Sequence, residues 1–386
     1  MAEPRESAPG PQGWAAGLGP AAAQGPDAQQ SPAAAHEPAA ARYRAAPPRP
    51  RPAPVPYDPA LLPGLEFFLD LVERIPLRAD TIIANRDHFA TIIQPMAAQV
   101  EGRAVTWEDR VIPGPPGAPD VAVTIVRPAA NDAAGDHEPG GAGGSGPGRP
   151  AVLGIHGGGY VLGTRFFGTG ELIDLAERHG VVGVAVEYRL APEHPAPAAA
   201  EDCYAALAWL AAHAAQLGVD PDRVVVSGTS AGGGLTAAVA LLARDRGGPT
   251  LAGQLVNTPM IDDRNDTVSS WQYDGIGAWD RSNNDTGWDA MLGAERGTAA
   301  VTPYQAPARA TDLTGLPPAF IEVGSAEVFR DEATAYASAI WAAGGQAELH
   351  VWSGAYHGFT GFSPDAEVSL AANAARDSWW RRILTR

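Results

Sequence analysis

The chain has 386 residues, with 27 Lys plus Arg against 44 Asp plus Glu and a net charge of −17. Phosphate backbones and anionic membrane surfaces are repelled by that balance, which argues against nucleic acid and membrane as partners. Every basic residue is Arg, and the absence of Lys removes Schiff-base chemistry, a Walker A loop and a Ser-x-x-Lys mechanism together.

Residues 1–56 are dominated by Ala, Pro, Gly and Gln and end near Pro47-Pro48-Arg49-Pro50-Arg51-Pro52. Such a segment buries too little apolar surface to offset ordering entropy, and it is expected to be a disordered tail. No basic start followed by an apolar stretch, and no apolar run near eighteen residues, suggests a secretion signal or a membrane span, so the cytoplasm is the default location. Residues 57–100 carry two helical patterns, one from Leu61 to Val72 and one from Ile82 to Ile93. They are expected either to form the first part of a cap over a site or to pack permanently on a sheet. Residues 101–386 read as one further domain, opening with strands near Thr106–Ile112 and Val121–Val126 and a glycine-rich linker from Asn131 to Pro150.

The apolar run Ala151–Ile155 reads as a buried strand and leads into His156-Gly157-Gly158-Gly159-Tyr160. A glycine run after a strand presents consecutive N–H groups to one point, which is the geometry an oxyanion needs. The spacing of the glycines misses the G-x-G-x-x-G dinucleotide fingerprint by one residue. The next strand, Val181–Tyr188, is followed by an amphipathic helical pattern that carries Cys203, the only cysteine, which is expected in the core and cannot form an intrachain disulfide.

Val224–Ser227 is an apolar strand that stops at Gly228-Thr229-Ser230-Ala231-Gly232 and passes into a helix. G-x-S-x-G in that context is a nucleophile elbow: the turn brings the backbones on either side of Ser230 into near contact, and glycine at 228 and 232 avoids a Cβ clash. The ordinary alternative is a helix start capped by a serine. With Ser230 as nucleophile, the amides of Gly157, Gly158 and Ala231 are the candidate oxyanion donors. After a strand at Gln254–Thr258, the stretch 262–303 interrupts the α/β rhythm and is rich in aromatic residues. It reads as a cap insertion in which Trp271, Tyr273, Trp279 and Trp288 either line a substrate pocket or form the cap's own core. Tyr160, Trp271, Trp279 and Trp288 are taken as candidate substrate contacts.

Strand Ala319–Val323 precedes Glu327, Asp331 and Glu332, and strand Ala347–Trp352 precedes His357. The order Ser, acid, His is that of the α/β-hydrolases, and each candidate follows a strand whose C-terminal end would face one crevice. His357 would take the serine proton and return it to the leaving group, while Glu327 would orient the imidazole. Asp331 and Glu332 are rivals for the acid, though both fall where a helix should begin and capping suits them better. His350, in mid-strand, is expected to be structural. No Cys/His cluster has metal-ligand spacing, and no metal or cofactor is called for.

Four segments together, His156–Tyr160, Glu187-Tyr188-Arg189-Leu190-Ala191-Pro192-Glu193-His194-Pro195, Gly228–Gly232 and Tyr356-His357-Gly358-Phe359, resemble the bacterial hormone-sensitive-lipase family of carboxylesterases. Thr229 resembles the branch of that family with Thr before the nucleophile, whereas Glu327 stands where the family usually has Asp. The resemblance implies an α/β-hydrolase fold: a mainly parallel sheet with helices on both faces and a helical cap. It also implies a bracing role for His156, and it leaves a homodimer through the last strand open. The function expected is a serine carboxylesterase acting on short to medium acyl esters. An acyltransferase or amide hydrolase with the same triad is the alternative, and a non-catalytic receptor on this scaffold is disfavoured because His357 is present.

Overall fold

A computed structural model describes residues 51–71, 75–129 and 148–385. Most of the expected disordered tail (residues 1–50) and nearly all of the Asn131–Pro150 linker lie outside the described residues. Residues 51–56, assigned by composition to the tail, are bonded to residues far along the chain: Gln272 Nε2 donates to Ala53 O at 2.6 Å and Tyr273 OH to Val55 O at 2.7 Å.

Eight strands form one sheet: β1 Val105–Ile112, β2 Val121–Pro128, β3 Arg149–Ile155, β4 Val182–Val186, β5 Val219–Thr229, β6 Gly253–Asn257, β7 Ala319–Gly324 and β8 Ala347–Trp352, in the order β1-β2-β4-β3-β5-β6-β7-β8. The first two strands pair antiparallel with their neighbours and the rest are parallel. Parallel strands must be covered on both faces, which is why β3, β4 and the core of β5 are almost uninterrupted apolar runs. β1, at the edge, is largely exposed or half-buried.

The helices are α1 Leu62–Leu71, α2 Ile82–Ile92, α3 Met96–Gln99, α4 Thr169–His179, α5 Ala198–Ala212, α6 Ala214–Leu217, α7 Ala231–Asp245, α8 Val268–Gln272, α9 Arg281–Leu292, α10 Arg330–Ala342, α11 Phe359–Phe362 and α12 Glu367–Ile383. One face of the sheet packs on α5, α7 and α10 through residues such as Leu207, Val239 and Ile340. The other packs on α4 and α12 through Leu172, Leu175, Trp379 and Trp380. Helix α5 turns one face inward, as its pattern suggests: Cys203, Ala206, Leu207 and Leu210 are buried, and so is Asp202. Asp202 is tolerated there because Arg189 meets both its oxygens, at 2.7 and 2.8 Å.

Candidate functional site

The parallel register places the ends of β3, β5, β6, β7 and β8 along one edge: Ile155 lies opposite Gly228, Thr229 opposite Asn257, Asn257 opposite Glu322, and Gly324 opposite Trp352. His156-Gly157, Ser230, Glu327 and His357 all leave the sheet at that edge.

Ser230 sits between β5 and α7 with φ 62° and ψ −122°, a strained conformation for a residue with a side chain. The tightness of the turn is measurable: a Cβ on Gly228 would lie 2.3 Å from Gly232 O, and one on Gly232 would lie 2.1 Å from Ile155 O. The elbow is pinned from outside, since Ser230 N donates to Asn257 O at 2.9 Å and Met260 N donates to Ser230 O at 3.0 Å.

The 157–163 loop lies directly over this turn. A Cβ on Gly157 would stand 3.3 Å from Ser230 Cβ. Among the described residues the amides of Gly157 and Gly158 donate to no protein acceptor, and Ala231 is the first residue of α7, where amides are unpaired by construction. His156 is buried under the loop, stacked on Tyr188 at 4.1 Å, with Nδ1 2.8 Å from Gly157 O. Burial lowers its pKa, so the ring is neutral and Nδ1 donates to that carbonyl. The bracing contact implied by the family resemblance is therefore present.

Glu327 is buried and held at both oxygens: Gly324 N donates to Oε1 at 2.7 Å, and His357 Nδ1 lies 2.6 Å from Oε2. The two loops are also stitched by Ala326 N to Ala355 O at 3.1 Å and Gly354 N to Ser325 Oγ at 2.8 Å. Phe329 sets its ring edge-on to the imidazole of His357 at 5.2 Å. With Nδ1 occupied by the carboxylate, Nε2 is the free nitrogen of His357. The rivals are engaged elsewhere: Asp331 Oδ2 accepts from Ser269 N at 2.8 Å, and Glu332 Oε1 from Ile261 N at 2.8 Å. His350 pairs with Glu348 at 3.1 Å and stacks on Trp352.

Of the four candidate substrate contacts, one packs on the glycines of the loop. Trp279 packs its six-membered ring on Gly159, where a Cβ would lie 2.4 Å from Cη2. Trp271 is tied to Asp266 at 2.7 Å and covered by Arg281, and Trp288 is fully buried against Tyr160. Tyr160 is itself buried and donates to Met260 O at 2.7 Å. Each of these three side chains has a structural partner of its own. An aromatic run in sequence does not distinguish a wall from a core.

Residues 257–261 form a strut that sequence reasoning missed. They touch the serine through Asn257 and Met260, the glycine loop through Tyr160, and α10 through Glu332. The available signal was periodicity, since Glu332 falls on the face of α10 shared by Phe329, Ala333, Tyr336 and Ile340, all buried. Burial raises the Glu332 pKa well above 4.5. The unfolded state thus loses the proton first, and this carboxyl's contribution to stability falls as pH rises from about 4.5 toward its folded pKa, by at most about 1.4 kcal/mol per pH unit. Glu332→Gln keeps the acceptor for Ile261 N without the titration. The expected outcome is that the stability of the variant relative to wild type increases between pH 5 and pH 8 in paired denaturant titrations; a pH-independent difference refutes it.

Among the described residues no group of three His, Cys, Asp or Glu is placed to hold a metal, and no helix is long and apolar enough to cross a membrane. A family model described as the alpha/beta hydrolase fold matches residues 152–361. Carboxylesterase NlhH of Mycobacterium tuberculosis is 36% identical over 237 residues, spanning 55% of this chain and 67% of that protein. Carboxylic ester hydrolase LipN of the same organism is 36% identical over 288 residues, 72% of this chain and 70% of that one. The solved structure of a bacterial heroin esterase superposes with a TM-score of 0.75 at 35% identity, over 85% of this chain and 98% of that chain. An eight-stranded sheet with a serine elbow beneath a glycine loop, and relatives that are esterases across most of the fold, lead to one conclusion: the chain belongs to the hormone-sensitive-lipase type of the alpha/beta hydrolase family and is a carboxylesterase.

Proposed function

We propose that Ser230, His357 and Glu327 are the catalytic triad of a serine esterase that works through an acyl-enzyme, with Gly157, Gly158 and Ala231 as its oxyanion hole. The observation that carries this reading is the 2.6 Å contact between His357 Nδ1 and the buried carboxylate of Glu327. It holds the proton on Nδ1 and leaves Nε2 as a base. Ser230 Oγ attacks the ester carbonyl carbon while Nε2 takes its proton. The carbonyl oxygen, now anionic, is met by amides that have no other acceptor among the described residues. Collapse of the tetrahedral species breaks the bond to the alcohol oxygen, which leaves with the proton from Nε2. Water then repeats the sequence on the acyl-Ser230 ester and releases the acid. Helices α1, α2, α8 and α9 serve as the cap, and the substrates are short to medium acyl esters.

A fluorophosphonate probe tests this without assuming the substrate. The expected adduct is on the peptide containing Ser230, its formation slowed by p-nitrophenyl butyrate. An adduct elsewhere, or none while the ester is still cleaved, overturns the assignment.

A further inference from the structure

We propose that Trp279 is the residue that limits acyl-chain length, forming the end wall of the acyl side of the site; the inference rests on the serine-esterase reading above. Topology supplies the direction. Ser230 follows β5, with β3 on one side of it and β6, β7 and β8 on the other. The leaving alcohol must depart beside His357, which gives it a proton and follows β8. With the carbonyl oxygen at the Gly157-Gly158 amides, the acyl arm is directed to the opposite side, where the loop after β3 continues to Gly159.

Trp279 is what stands on Gly159. Its Cη2 and Cζ2 would lie 2.4 and 2.6 Å from a Cβ at that position, so the glycine backbone and the indole are in direct contact. The indole is half-buried, and its Nε1 lies 3.4 Å from Asn284 Oδ1 on α9. Asn284 is buried and bonded in turn to Asn265 Oδ1 at 3.0 Å. The loop that carries Trp279 is closed at its base by Arg281 N to Tyr273 O at 2.8 Å, and Gly275 N donates to Asp280 Oδ2 at 2.8 Å. Gly275 and Gly277, with φ 73° and 96°, shape the span between. The wall is thus a rigid ring on a loop anchored at its ends, and the other aromatic candidates are committed elsewhere.

An acyl chain that meets this wall cannot bury further methylenes, each of which is worth roughly fourfold in binding when buried. Removing the indole opens room for several. The test compares wild type, Trp279→Phe and Trp279→Ala on p-nitrophenyl esters from acetate to decanoate. The expected result is a rise of at least tenfold in the decanoate-to-acetate ratio of kcat/KM for Trp279→Ala, with Trp279→Phe between the two. A parallel loss at all chain lengths, the behaviour of a purely structural residue, overturns the proposal. If the alanine variant fails to fold, an unchanged ratio in the phenylalanine variant overturns it equally. Fluorophosphonate labelling of Ser230 in each variant keeps the outcomes separate: labelling intact with an unchanged ratio rejects the wall and leaves the triad standing.

Discussion

Ser230→Ala is expected to lower kcat for p-nitrophenyl butyrate on the order of 10⁵- to 10⁶-fold, because the proposed triad would act as a unit. The hydroxyl is presented by a backbone with φ 62° that the surrounding turn enforces, and neither Thr229 nor Ser227 occupies that position. Removing one oxygen atom from a side chain that has no structural bond among the described residues should leave the fold intact. Thermal unfolding within a few degrees of wild type, alongside lost activity, is the combined result expected; turnover within tenfold of wild type would falsify the nucleophile assignment.

The second large effect separates Glu327 from its rival. Glu327→Gln should reduce kcat about 10⁴-fold with little change in KM, since a neutral amide presents the wrong partner to Nδ1 and no longer stabilises the imidazolium. Asp331→Asn should cost less than tenfold, because Asp331 bonds Ser269 N and Arg330 and not His357. The converse outcome, a collapse only in Asp331→Asn, transfers the acid role. The acid and histidine loops meet closely at Gly324, where a Cβ would lie 2.0 Å from Ala355 O.

All eight strands are legible in the sequence: the inner parallel strands, buried on both faces, read as apolar runs, while the half-buried edge strand β8 reads by its alternation. The largest difference is β5. Its apolar part begins at Val224, but pairing is already present between Val219 and Arg149, with an irregularity in register before Ala151 resumes it. Asp220-Pro221-Asp222 reads as a turn and hides that extension. The motif residues were legible for a related reason: glycines at 157, 228 and 232 record close backbone approaches that no other residue type permits, so they mark the chain regardless of distant context. What was not legible depends on which side chain meets which. Four aromatic candidates look alike in sequence, and only the packing of Trp279 on Gly159 against the burial of Tyr160 and Trp288 tells them apart. Glu332 likewise resembles a helix-start acid until its helix is placed against Ile261.

The strut at residues 257–261 gives this enzyme a single keystone: Asn257 and Met260 hold the elbow, Met260 holds Tyr160, and Ile261 holds Glu332. A substitution there is transmitted to the elbow, the glycine loop and α10 together, which makes the strut a poor place for drift. The loop between Tyr273 and Arg281 is closed at its base by a single backbone bond and reaches the glycine loop through Trp279. New specificity would therefore evolve most readily by remodelling that loop, while the machinery beneath it stays frozen.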